Sequence, residues 1–346
     1  MKILIAGQGL AGTVFSFELQ QRGHSVVVMD GQKEPAASRV AAGMWNPVSF
    51  RRVIPTWRAH QLIPKMHALY AQMESFLSIK VVHKMPVIRI FPNEEYAGIW
   101  EKAQQTEVAT FLAPAKNRTL STHIHAPHGH GEVSEAGYVD LPLLLDSWGA
   151  YLAENDRLLN QQWDGNATWS DNGAEVHGVH YDAVVLCLGT GAAQDPLTAD
   201  WEFLRQNKGE VLTLKIPGLK LDHVLNKGKW LLPVGEETYR FGSSYEWQKT
   251  ERIPSPGVRE QFLDVLKEML PDSKPEVLEH HVGVRPTVKD RRPVVGAHPI
   301  QKNAWVFNGL GTRGVMLAPF CAAYLADLLE GKGALDPELN PQRYHI

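Results

Sequence analysis

The chain has 346 residues, 44% hydrophobic and 21% charged. That composition excludes a disordered protein and suggests two structural units, at roughly 100–200 residues each. A formal charge of −3, from 35 Lys and Arg against 38 Asp and Glu, argues against a dedicated nucleic-acid binder. The only two cysteines, Cys187 and Cys321, lie in apolar stretches, which excludes a disulfide framework and a cysteine-based zinc site and suits a reducing cytoplasm.

At the N-terminus, Lys2–Ala6 reads as a buried strand. Its apolar run is too short for a signal-peptide core, and no uncharged apolar run elsewhere reaches membrane-spanning length. Leu10–Arg22 follows with helical periodicity through Val14, Phe17 and Leu19, and Gly23 ends it. Ser25–Met29 is a second β-branched strand closing on Asp30. This βαβ unit implies a parallel sheet covered on both faces. Residues 56–77 read as a helix interrupted by Pro64, and Lys80–Phe91 as an edge or antiparallel strand carrying Pro86. Leu141–Ala153 is expected to be helical, with Pro142 in its first turn. Ala183–Leu188 is another buried strand, ending in Gly189-Thr190-Gly191.

The pattern then changes. Glu210–Ile216, Asp222–Leu225, Lys229–Pro233 and Tyr239–Ser243 read as four strands of an antiparallel meander, followed by a helix near Val258–Met269. Trp305–Phe307 returns to parallel-sheet material, and Val315–Leu329 is a long apolar helix. The fold class expected is α/β. A discontinuous Rossmann-type nucleotide-binding domain takes residues 1–78, 134–200 and 283–346, and a mostly antiparallel substrate domain takes 79–133 and 201–282.

Gly7-Gln8-Gly9-Leu10-Ala11-Gly12 is G-x-G-x-x-G in its required setting, after a strand and opening a helix, with Asp30 at the end of the next strand. Gly7 permits the tight turn, Gly9 lets backbone amides approach a pyrophosphate, and Gly12 lets the helix pack close. Asp30 would accept hydrogen bonds from a ribose diol and repel a 2′-phosphate, so FAD or NAD is expected rather than NADP.

Three further stretches separate FAD from NAD. They are Ser38–Pro47 (SRVAAGMWNP), Gly283–Gly296 (GVRPTVKDRRPVVG) and Asn308–Pro319 (NGLGTRGVMLAP). With the opening glycines, in this order and over nearly the whole length, they resemble the FAD-dependent D-amino-acid oxidase superfamily, which includes glycine and sarcosine oxidases. The resemblance implies a flavin-contacting set: Gly7, Gly9, Leu10, Ala11, Gly12, Asp30, Gly31, Ser38, Arg39, Ala42, Gly43, Gly189, Gly309, Gly311, Thr312, Arg313, Gly314 and Val315. It implies that the end of the last helix points at the pyrimidine edge of the flavin. Arg285 matches the arginine that grips the substrate carboxylate, a task suited to a guanidinium fork; pairing with Asp290 is the structural alternative. Tyr245 falls where relatives carry a substrate-contacting residue, or else is a core aromatic. Arg51 and Arg52 are further cations near the flavin loops, and Trp45 lies beside one of them.

Residues 283–296 carry no cysteine where sarcosine oxidases attach flavin, so FAD is expected to be non-covalent. His123, His125, His128 and His130 cluster within Thr122–Gly131, which reads as a solvated rim loop rather than a metal site.

The function implied is oxidation of the C–N bond of a small amino acid or N-substituted glycine by hydride transfer to flavin, with oxygen or another molecule as electron acceptor and with neither membrane nor nucleic acid as partner. Two alternatives remain. One is a flavin-dependent enzyme removing a carboxymethyl group from a tRNA wobble uridine, whose domain the Arg39–Pro47 and Leu310–Gly314 stretches also resemble. The other is a non-catalytic dinucleotide-binding sensor.

Overall fold

The computed structural model describes residues 1–31, 36–114, 119–247 and 249–344. Its first sheet has six strands, in the order Leu158–Leu159, Ser25–Met29, Lys2–Ala6, Ala183–Leu186, Ala304–Asn308, Val294–Ala297. All neighbours are parallel except the last pair, a hairpin. Strand alternation divides the first strand between two cores. Ile3 and Ile5 pack among the helices Leu10–Gln21, Ala59–Leu77, Leu141–Glu154 and Gly314–Leu329, whereas Leu4 and Ala6 face the other way. That second face is covered by a three-stranded antiparallel meander, Thr168–Ser170, Gly173–Val176 and Val179–Tyr181. The sheet is thus covered on both faces as expected, but by helices on one and by strands on the other.

Pro64 does not interrupt its helix. Ala59–Leu77 is continuous, because a proline near the start removes a single hydrogen bond from a helix held by Leu62, Met66, Leu69, Tyr70 and Met73 in the core. The expected Lys80–Phe91 strand is two strands. Val82–Lys84 pairs with Gly137–Val139, and after Met85-Pro86 the chain enters a different sheet as Val87–Ile90. Pro86 marks the change, and its carbonyl accepts from the Val224 amide (2.9 Å).

The larger sheet has eight strands. Leu204–Lys215 and Glu276–Val288 form a long antiparallel pair, and Val224–Lys227, Lys229–Gly235 and Thr238–Gly242 form the meander. The meander is not wholly antiparallel in its sheet, since Val224–Lys227 runs parallel to Val87–Ile90. The helix Val258–Met269 buries Phe262, Leu266 and Met269 against this sheet, as its sequence suggests. The boundary placed at 283 falls inside the Glu276–Val288 strand. No helix among the described residues is long and apolar enough to cross a membrane.

Candidate active site

A cleft of about 1220 Å³ runs between the two sheets. Its floor begins at the glycine turn. Gly7 has φ +104°, and a Cβ there would sit 2.6 Å from the Cys187 carbonyl oxygen, so only glycine fits. A Cβ on Gly12 would overlap the Gly7 carbonyl oxygen, so the helix packs on the strand only without one. The Gln8 amide donates to Asp30 Oδ2 (2.6 Å), while the Gln8 side chain turns inward and donates to the Leu145 carbonyl (2.7 Å). That inward anchor accounts for a glutamine inside a glycine turn. The helix Leu10–Gln21 starts at extended Gly9 with no side-chain cap and no acidic residue in its first turn, which leaves its amides for an anion.

A second helix end meets the same cleft. Gly314–Leu329 follows Arg313 with no side-chain cap and no acidic residue in its first turn. The loop before it is tied down twice. Asn308 Nδ2 donates to the Gly189 carbonyl and Asn308 Oδ1 accepts from the Gly309 amide, while the Gly311 amide donates to the Pro286 carbonyl. Gly43, at φ +69°, lies against the Val139 backbone, where a side chain would overlap the carbonyl.

Of the residues singled out from sequence, Gly7, Gly9, Leu10, Ala11, Asp30, Gly31, Ser38, Ala42, Gly43, Gly189, Gly311, Thr312, Arg313, Gly314, Val315, Tyr245 and Arg285 line the cleft. Gly12, Gly309 and Arg39 do not; Arg39 pairs with Asp146 (2.6 Å). Trp45 is buried in the core, and Arg51 and Arg52 are exposed. Cys321 is buried in the last helix, away from the cleft, and burial pushes its thiol pKa up. Cys187 lines the cleft and is likewise pushed up by burial. His123, His125 and His128 are exposed, and His130 opens the strand His130–Val133. Among the described residues no three His, Cys, Asp or Glu side chains gather as a metal site.

Arg285 has the most distinctive surroundings. It stands opposite Asn207 in the long strand pair. Its Nη1 donates to Asn207 Oδ1 (2.7 Å) and to the Ser244 carbonyl (3.2 Å), and its Nη2 donates to Ser243 Oγ (2.9 Å). The Tyr245 ring lies 4.6 Å from the guanidinium carbon. A Cβ on Gly209 would overlap the guanidinium, so that glycine provides its seat. Every partner is neutral, and among the described residues no carboxylate pairs with Arg285. Asp290, the structural alternative, pairs with Arg343 (3.1 Å). Burial depresses the pKa of Arg285. It does the same for Lys229, with Arg285 as a second cause; Lys229 Nζ donates to the Ser243 carbonyl. Arg313 is depressed by burial and then by Arg291 and Arg292. Arg285 and Arg313 thus line the cleft with no carboxylate partner among the described residues, an arrangement that favours entry of an anion.

Asn207, Gly209, Ser243 and Asn308 were missed from sequence, as were Gln162 and Trp163 on the cleft wall. Asn308 opens the Asn308–Pro319 stretch without having been given a role, and the others carry no local motif. Asn207 and Gly209 lie in a polar run, Arg205–Glu210, that gives no strand signal, and only the register with the Arg285 strand reveals them.

Comparison with known proteins agrees with this geometry. A family model described as FAD dependent oxidoreductase matches residues 2–328. The glycine oxidase of Geobacillus kaustophilus is 25% identical over 358 residues, covering 95% of this chain and 93% of that protein. A crystal structure of glycine oxidase from the same organism has a TM-score of 0.82 at 22% identity, covering 99% of this chain and 98% of that one. The tRNA 5-methylaminomethyl-2-thiouridine biosynthesis bifunctional protein MnmC of Thiobacillus denitrificans is 26% identical over 354 residues, covering 95% of this chain but 56% of that protein. With the family model running from the first strand into the last helix, the chain belongs to the D-amino-acid oxidase superfamily and is an FAD-dependent oxidoreductase.

Proposed function

We propose that this oxidoreductase oxidises the C–N bond of a small amino acid or N-substituted glycine, and that Arg285 holds the substrate carboxylate. The observation that carries the reading is a half-buried guanidinium, open to the cleft, with only neutral partners. Of its five N–H donors three are engaged, leaving Nε–H and one Nη2–H for a two-point grip on a carboxylate. Asn207, Ser243 and the Ser244 carbonyl fix the plane of the fork, and Tyr245 backs it from one face.

The same residues favour the reactive form of the amine. Arg285 and Arg313 line the cleft and Lys229 donates to the Ser243 carbonyl nearby, and this positive charge lowers the pKa of a substrate ammonium toward the neutral amine. Among the described residues no histidine lines the cleft. Catalysis then rests on orientation and exclusion of water rather than on a side-chain base.

The cleft fits FAD on its own terms. Two uncapped helix ends, a turn where only glycine fits at position 7, and Asp30 at the edge of the sheet suit a pyrophosphate, a ribose and a ring that gains negative charge. FAD, when bound there, accepts the two electrons of the oxidation. The Gly7–Gly12 turn would carry the pyrophosphate, Asp30 the adenosine ribose, and the Gly311–Val315 turn the ring edge. With no cysteine near the ring loop, attachment is non-covalent.

The test is anaerobic titration of the yellow protein with glycine, sarcosine, proline and D-amino acids while its visible band is followed. Bleaching by one of them is expected. Arg285→Ala should lower kcat/KM for that substrate by a factor of about 10² or more, as loss of a buried charged contact predicts. An Arg285→Ala enzyme as active as wild type would end the proposal.

A further inference from the structure

The cleft does not stop at Arg285. Gln206 lines both the cleft and an adjoining pocket of about 420 Å³, whose other walls are Arg205, Trp247, Val288, Lys289 and Arg291. The pocket lies at one end of the long strand pair. Asn207 is flanked by Arg285 on one neighbouring strand and by Trp247 on the other, and directly opposed residues share a face. Two strand spacings put Trp247 roughly 10 Å from Arg285 across the sheet. Arg205 is on that same face, two residues from Asn207.

Three cations meet here, Arg205, Lys289 and Arg291. Arg205 Nη1 donates only to the nearby carbonyls of Glu202 and Leu204, and among the described residues no carboxylate pairs with Arg205, Lys289 or Arg291. The neighbouring acids are engaged elsewhere, Asp290 with Arg343 and Glu338 with Arg58 and Arg292. Trp247 is 53% exposed, a large ring left facing solvent beside these charges. A planar ring with an anion on it satisfies both features, the ring on Trp247 and the anion among the cations.

We propose that this pocket binds the far end of an extended substrate, an aromatic ring bearing a phosphate, while the glycine end sits on Arg285. The proposal rests on the carboxylate clamp for its direction and adds a substrate class: N-substituted glycines whose substituent ends in a phosphorylated ring. The small amino acids that fit the clamp alone leave this pocket empty.

Two measurements test it. Turnover of N-benzylglycine is compared with that of its ring-phosphorylated analogue, N-(4-phosphonooxybenzyl)glycine. Wild type should favour the phosphorylated compound by at least about tenfold in kcat/KM, the worth of one charge-assisted contact. Arg205→Gln and Arg291→Gln should each reduce that ratio several-fold, and Trp247→Ala should lower kcat/KM for both compounds. Equal use of the two by wild type, or a ratio untouched by either glutamine variant, overturns the proposal.

Phenyl phosphate, titrated calorimetrically into the FAD-loaded protein, reads the pocket without turnover. Binding weakened in Arg205→Gln and Arg291→Gln supports the subsite, and binding absent from wild type refutes it. Failure of N-benzylglycine to bleach the flavin would instead strike at the amine-oxidation reading. A ring with a phosphate close by occurs in free metabolites and, with the phosphate carried on the ribose, in nucleotides of an RNA strand. Equal inhibition by uridine monophosphate and by a uridine oligonucleotide marks the free form, and tighter, salt-sensitive inhibition by the oligonucleotide marks the strand.

Discussion

Gly209→Ala isolates the geometry of the clamp without removing a charge or a donor. The added methyl would overlap the Arg285 guanidinium where it crosses the neighbouring strand, and restoring ordinary contact moves that group by about 1 Å. Such a shift separates Nη2 from Ser243 and spoils one arm of the two-point grip. A charged hydrogen bond contributes about 1.5–3 kcal/mol, so kcat/KM for a carboxylated substrate should fall by a factor of about 10–100. Stability should change little, because the roughly 0.5–1 kcal/mol gained by replacing a strand glycine offsets part of the overpacking. The assay is a double-mutant cycle in kcat/KM, with flavin content and Tm as folding controls. Gly209→Ala should do nothing further in an Arg285→Ala background. Wild-type kcat/KM in the single variant, or an additive loss in the double, would refute the clamp.

Other outcomes follow from the same structure. Gly12→Ala puts a methyl onto the Gly7 carbonyl, so it should abolish flavin retention or lower Tm by several degrees, read by absorbance and thermal melting. Asp30→Ala should weaken FAD about tenfold or more by flavin titration, since it leaves the ribose and the Gln8 amide without their acceptor. Heat or acid precipitation should release all of the flavin to the supernatant, because Cys321 is buried outside the cleft and burial keeps the Cys187 thiol, which lines it, protonated. Glu330, paired with Lys332, His24 and Arg22, has its pKa depressed to about 2. A depressed carboxylate stabilises above its unfolded pKa and ceases to as pH falls through the folded value. The Tm advantage over Glu330→Gln should therefore be full at pH 7 and shrink as pH is lowered from about 5 toward 2.

What could be read in advance depended on whether the chemistry is local in the chain. The Gly7–Gly12 turn, its strand and Asp30 lie within 30 residues, and each carries its own signal. Arg285 was legible only through its resemblance to relatives, because its partners Asn207 and Ser243 are 78 and 42 positions away. The strand that delivers them was half hidden, since Asn207, Lys208 and Glu210 are buried polar residues where a strand pattern requires apolar ones. Lys208 and Glu210 satisfy each other at 3.3 Å, a pairing no local reading supplies. The Thr168–Tyr181 meander was not read from sequence, although Asn172-Gly173 is a visible turn cue, because its three strands are only three or four residues long.

The Glu276–Val288 strand has a consequence for how these enzymes can be recombined. It carries Arg285, the proposed carboxylate clamp, on its way out of one sheet and leads into the hairpin of the other, and the Pro286 carbonyl holds the turn that opens the last helix. The proposed carboxylate grip and the turn before the last helix therefore belong to one uninterrupted ribbon. A chimera cut at residue 283 would separate Arg285 from the register that seats it. Specificity should transfer between relatives only when 204–215 and 276–288 travel together, with the Asn207–Arg285 pairing as the unit of inheritance.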